Sequence, residues 1–120
     1  MKKFNTILIL FCVIILTSFT SAENQPLPTS LRITILNELG NIEAGVKVTL
    51  YKTDEDYKSE ENPVSESQLT DKKGRVTFKN LAPIVYFVNA EKGDKNNYGA
   101  GVQTDTIQEG RINKVSIIIE

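Results

Sequence analysis

From Leu31 onward, apolar and polar residues alternate with period two, the pattern of strands that bury one face and wet the other. Leu31, Ile33 and Ile35 alternate with Arg32 and Thr34. Val46, Val48 and Leu50 alternate with Lys47, Thr49 and Tyr51. Val76 and Phe78 alternate with Arg75, Thr77 and Lys79. Tyr86, Val88 and Ala90 alternate with Val85, Phe87 and Asn89, and Val115, Ile117 and Ile119 with Ser116, Ile118 and Glu120. Shorter strands are expected within 65–70 and 102–106. Gly40, Gly45 and the run Asp71-Lys72-Lys73-Gly74 punctuate them as turns. One exception breaks the strand pattern: Thr53-Asp54-Glu55-Asp56 has an N-cap Thr and acids in a first helical turn. The expected fold is all-β, a single antiparallel sandwich of about seven strands over 31–120. Val48, Leu50, Phe78, Tyr86, Val88, Val115 and Ile117 are expected in its core.

The first 22 residues read differently. Lys2 and Lys3 precede ten consecutive apolar residues, 7–16, and small residues lead to Ala22. A bilayer-spanning helix needs about 20 apolar residues. The pattern is that of a cleaved secretory signal peptide, 1–22. Cys12 follows the bulky Phe11, so it reads as part of the apolar run and not as a lipidated cysteine. Residues 23–30, mostly polar with prolines at 26 and 28, read as a short extended leader. The expected location is secreted or periplasmic, with no membrane span after cleavage.

Composition narrows the chemistry. The 120 residues hold no His, no Trp and one Cys. His-dependent triads, His-ligated metals and internal disulfides are therefore ruled out. No nucleophile–base pair or zinc set supports an enzyme, and no cofactor is expected. Lys and Arg total 14 against 15 Asp and Glu. That balance argues against a polyanion-binding protein, and so against nucleic acid as a partner, because affinity for phosphate backbones comes from clustered basic charge.

The run 37–50, with Gly40, Ala44-Gly45-Val46 and a Val-x-Leu strand, resembles the opening of carboxypeptidase regulatory-like domains. So does 70–81, where a Gly turn leads into a strand with Phe78 and then into Leu81-Ala82-Pro83. The resemblance implies a transthyretin-like (prealbumin-like) sandwich from a bacterial secreted or envelope protein. It also implies a non-catalytic module that mediates protein–protein or structural contacts. Relatives of that fold that form Lys–Asn isopeptides need an inward Lys on the first strand, where this chain has Leu31, Ile33 and Ile35.

Three surface candidates follow. Tyr51, Val85, Phe87 and Ile118 fall on the outward phase of their strands and, if adjacent, form an apolar partner surface. Asp94, Asn96, Asn97 and Tyr98 lie in a Gly- and Asn-rich loop, 93–101, whose amides, carboxylate and ring suit a carbohydrate ligand. Asp54, Asp56 and Glu60 lie in an acidic stretch whose oxygens suit calcium, without EF-hand spacing. The loops thus carry the alternative function, a small carbohydrate- or calcium-binding module. The expected partner is an envelope or secreted protein, or a glycan.

Overall fold

A computed structural model describes residues 27–120. The expected signal peptide, 1–22, lies outside them. The strands are β1 (Ser30–Asn37), β2 (Lys47–Tyr51), β3 (Gln68–Leu69), β4 (Arg75–Phe78), β5 (Phe87–Lys92), β6 (Lys95–Asn96) and β7 (Ile112–Ile119). One short helix, α1 (Asp54–Ser59), follows β2. The strands form two sheets, of order β4-β1-β7 and β3-β2-β5-β6. The all-β sandwich expected from the alternation is the observed architecture.

The alternating apolar residues meet between the sheets. Leu31, Ile33 and Ile35 of β1, Val48 and Leu50 of β2, Val88 and Ala90 of β5, and Ile119 of β7 are fully buried there. Phe78 and Tyr86 are the largest side chains of this core. The Tyr86 hydroxyl donates to the Ala82 carbonyl at 2.9 Å, so its polar end is satisfied where the ring is buried. Val115, expected inside, is half-buried against the edge of the core. Ile107, outside any strand, is buried with it.

Four details depart from the sequence reading. First, β1 and β7 pair in parallel over eight residues, from Ser30 opposite Ile112 to Asn37 opposite Ile119. Alternation reveals which face is buried and not the direction of the neighbouring strand. Second, the leader ends earlier than residue 30. The Thr29 hydroxyl accepts from the Gly110 N–H at 2.8 Å, and Ser30 already belongs to β1. Third, the strand expected at 102–106 is a single bridge, Phe87 to Gln103. Fourth, β6 arises inside the expected 93–101 loop. Its Asn96 exchanges two backbone hydrogen bonds with Glu120, at 3.0 and 3.3 Å, tying the two sheets together at one edge.

The turn before β4 is built as its sequence requires. Asp71 Oδ1 accepts from the Lys73 and Arg75 N–H groups, at 2.8 and 3.0 Å. Gly74 takes φ +72°, and a Cβ there would meet the Ile35 carbonyl oxygen at 3.0 Å. Only glycine combines that conformation with that approach.

Candidate functional site

The acidic stretch folds as a capped helix. Thr53 Oγ1 accepts from the Asp56 N–H at 3.1 Å, and Glu60 closes the far end in the left-handed conformation, φ 54°. Asp54 pairs with Lys58 at 2.8 Å, one turn on. Asp56 accepts from Asn62 Nδ2, and Glu60 from Asn89 Nδ2, both at 3.3 Å. The three carboxylates expected as calcium ligands are thus spread along the helix, each engaged by a different donor. Among the described residues, no group of three or more acidic, His or Cys side chains could hold a metal ion.

The helix corrects the expected partner surface. α1 packs on the outer side of β2 and β5. Tyr51, expected outward and free, is only 4% exposed. Tyr57 of the helix meets it edge-on, with ring centroids 6.1 Å apart, and meets Tyr98 on its other side at 6.0 Å. Phe87, the register partner of Tyr51, is half-buried, as is Val85. Ile118 is exposed but belongs to β7, in the other sheet. The four residues do not form one patch. Burial, and after it the neighbouring Tyr98, Asp54 and Glu60, push the Tyr57 phenol up to about 12. Its hydroxyl and Asn89 Oδ1 are buried with no hydrogen-bond partner among the described residues.

The 93–101 loop divides into a structural part and an exposed part. Asn97, expected as a ligand contact, is fully buried. Its Oδ1 accepts from the Ala90 N–H at 3.0 Å, while Nδ2 donates to the Val88 and Gly101 carbonyls at 2.9 and 3.1 Å. The side chain replaces the backbone ladder beside β5; both its amide protons are spent and its burial keeps it from a ligand. Asn96 is half-buried and accepts from the Tyr98 N–H at 3.0 Å. Only Asp94 and Tyr98 of the four are exposed.

The most distinctive surface is one that no candidate set identified, the outer side of β4-β1-β7. Arg32 stands opposite Thr77 on one side and Lys114 on the other. Thr34 stands opposite Arg75 and Ser116. Lys72, Lys73, Lys79 and Arg111 surround these two rows, and three open grooves meet at Arg32. One, of about 670 Å³, runs along β4 past Arg75 to Lys72 and Lys73. A second, of about 220 Å³, lies between Arg75 and Lys114, and a third, of about 490 Å³, reaches Lys79 and Arg111. Asp71 is the one carboxylate lining any of the three. The N–H groups of Arg75 and Lys73 already engage it and hold it below the usual carboxylate range.

Of the five described cations elsewhere, Lys52 and Lys95 have no ion pair and three do. Lys47 pairs with Glu91, Lys58 with Asp54 and Lys92 with Glu43, all on the side of the other sheet. Among the described residues, none of the seven cations around β4-β1-β7 has an ion-pair partner. The alternation placed Arg32 and Arg75 outward. What it lacked was the strand order, which sets them side by side.

No protein-family model matches the chain, and no curated protein matches it. Among solved structures the similarity is distant. The Bacillus anthracis TIE protein superimposes with TM-score 0.49 and 17% identity, covering 76% of this chain and 16% of that one. A candidate carbohydrate-binding protein of Pseudomonas aeruginosa gives 0.48 and 15%, covering 82% of this chain and 93% of that one. Chlorocatechol 1,2-dioxygenase from Pseudomonas putida gives 0.45 and 18%, covering 82% and 67%. The chain spans about a sixth of the TIE protein. These are likenesses to β-sandwich proteins and assign no family.

Proposed function

We propose that the chain is a non-catalytic binding module of the cell envelope or the secreted space, of transthyretin-like, carboxypeptidase regulatory-like type. Its contact surface in this reading is the outer side of β4-β1-β7. The observation that carries it is the cluster of seven cations on and around one sheet, lacking ion-pair partners among the described residues, in a chain whose net charge is −1. Leaving like charges together costs free energy through mutual repulsion, and a complementary anionic partner relieves it. The apolar signal-like segment and the resemblance over 37–50 and 70–81 support export and a modular role. No set of reactive side chains on the surfaces described above supports catalysis.

The purified protein, used as bait against envelope and medium fractions of its own cells, tests this reading. It should retain material that elutes as salt rises, because exposed charge pairs are screened. The Arg75→Glu/Lys114→Glu variant should retain none of it. Equal retention by the variant would move the contact surface elsewhere.

A further inference from the structure

The arrangement of side chains on this face goes further, to the class of the partner, and this step rests on the binding reading above. The six central positions form two rows, Thr77-Arg32-Lys114 and Arg75-Thr34-Ser116. Each of the three strands contributes one cation and one hydroxyl. Among the described hydrogen bonds, none uses the hydroxyls of Thr34, Thr77 or Ser116. Residues two apart along a strand stand about 6.7 Å apart, and neighbouring strands about 4.8 Å. Every cation therefore has a hydroxyl within reach of the same small ligand group. The apolar positions of β7, Ile112 and Ile118, fall beyond the rows at opposite ends.

We infer that this face binds an acidic polysaccharide, a chain carrying carboxylate or sulfate groups among free hydroxyls. Such a polymer offers both functions that the rows receive: anions for Arg32, Arg75 and Lys114, and hydroxyls for the threonines and serine. Guanidinium groups take carboxylates in a bidentate fork, which adds geometric selectivity to charge. Other polyanions use less of the surface. Single-stranded nucleic acid binds through aromatic stacking as well as charge, and neither row contains an aromatic residue. Membrane surfaces take up apolar side chains beside cations; the two rows contain none, and the exposed Leu69, Leu27 and Ile112 line the flanking grooves outside them. An acidic polypeptide would meet the cations but offers few hydroxyls.

The test measures binding of the purified protein to polygalacturonate, to dextran as its uncharged counterpart, to polyglutamate, and to vesicles of phosphatidylglycerol and phosphatidylcholine. Polygalacturonate should bind most tightly, and dextran should not bind. Arg75→Glu/Lys114→Glu should weaken polygalacturonate binding by at least about tenfold, as loss of charge-assisted contacts does. Thr34→Val, which keeps a strand-forming residue, should weaken polygalacturonate binding and leave polyglutamate binding unchanged. Circular dichroism and melting confirm that each variant folds. Polyglutamate or vesicles binding as tightly as polygalacturonate, still sensitive to the charge reversal, would overturn the polysaccharide inference and leave the binding face standing. Polyanion binding indifferent to the charge reversal, or none at all, would remove both.

Discussion

Asn97 makes three hydrogen bonds with one buried side chain, and its chemistry is specific to an amide. Oδ1 accepts from Ala90, while Nδ2 donates to Val88 and Gly101. Aspartate has the same size and cannot donate to the two carbonyls. Asn97→Asp should therefore destabilise the domain by about 2–4 kcal/mol, since buried groups left unpaired cost far more than exposed ones. The melting midpoint should fall by about 10 °C or more for a domain of this size. An unchanged melt would show that the loop tolerates the loss and that the amide is free for other use. Nothing in the sequence separates Asn97 from Asn96, its half-buried neighbour in β6. Both sit in a stretch of turn-forming residues, and only the fold decides which one turns inward.

At the scale of elements, the helix α1 explains why the outward phase of β2 misleads. The Thr53 cap and the acidic first turn were legible, because capping is local chemistry. That the helix would lie across β2 and bury Tyr51 was not, since docking depends on the path of residues 60–67 back to β3. Alternation reports two faces, and a helix laid on the outer one makes both dry. Tyr57 provides the test. Its phenol, pushed up from 10.0 to about 12 by burial and neighbouring groups, stays neutral in the folded state where the unfolded chain has ionised. Stability is then full below pH 10 and declines as pH rises from about 10 towards 12, where the unfolded state binds fewer protons. Tyr51 and Tyr86, also raised, act in the same direction. Tyr57→Phe removes a hydroxyl with no partner among the described residues, so it should melt like the native protein at pH 7. Between pH 10 and 12 it should lose less stability than the native protein does. A large loss at pH 7 would show that the hydroxyl is bonded after all.

Across the whole molecule, the distribution of charge matters more than its sum. The count of 14 basic and 15 acidic residues led to an argument against polyanionic partners. The strand order β4-β1-β7 sets Arg75, Arg32 and Lys114 together, although 43 positions separate the first two in sequence and 82 the last two. On the other sheet, Lys47, Lys58 and Lys92 are neutralised by Glu91, Asp54 and Glu43. The alternation made the two-layer fold and most of its core legible, because period two and burial are read directly from the chain. The cationic face was hidden because it is assembled from three strands, one of them a parallel neighbour, and pairing direction leaves no mark on hydrophobic periodicity.

Two charge reversals of equal size separate the segregated face from net charge. Arg75→Glu/Lys114→Glu alters the outer side of β4-β1-β7, and Lys52→Glu/Lys95→Glu alters the region of the other sheet. Both change the net charge equally. Binding of polygalacturonate to the two variants and the native protein, measured side by side at low salt, tests the account most directly. The first variant should lose binding by at least about tenfold, and the second should keep it within about twofold. Equal losses in both would mean that overall charge, and not this face, governs the interaction.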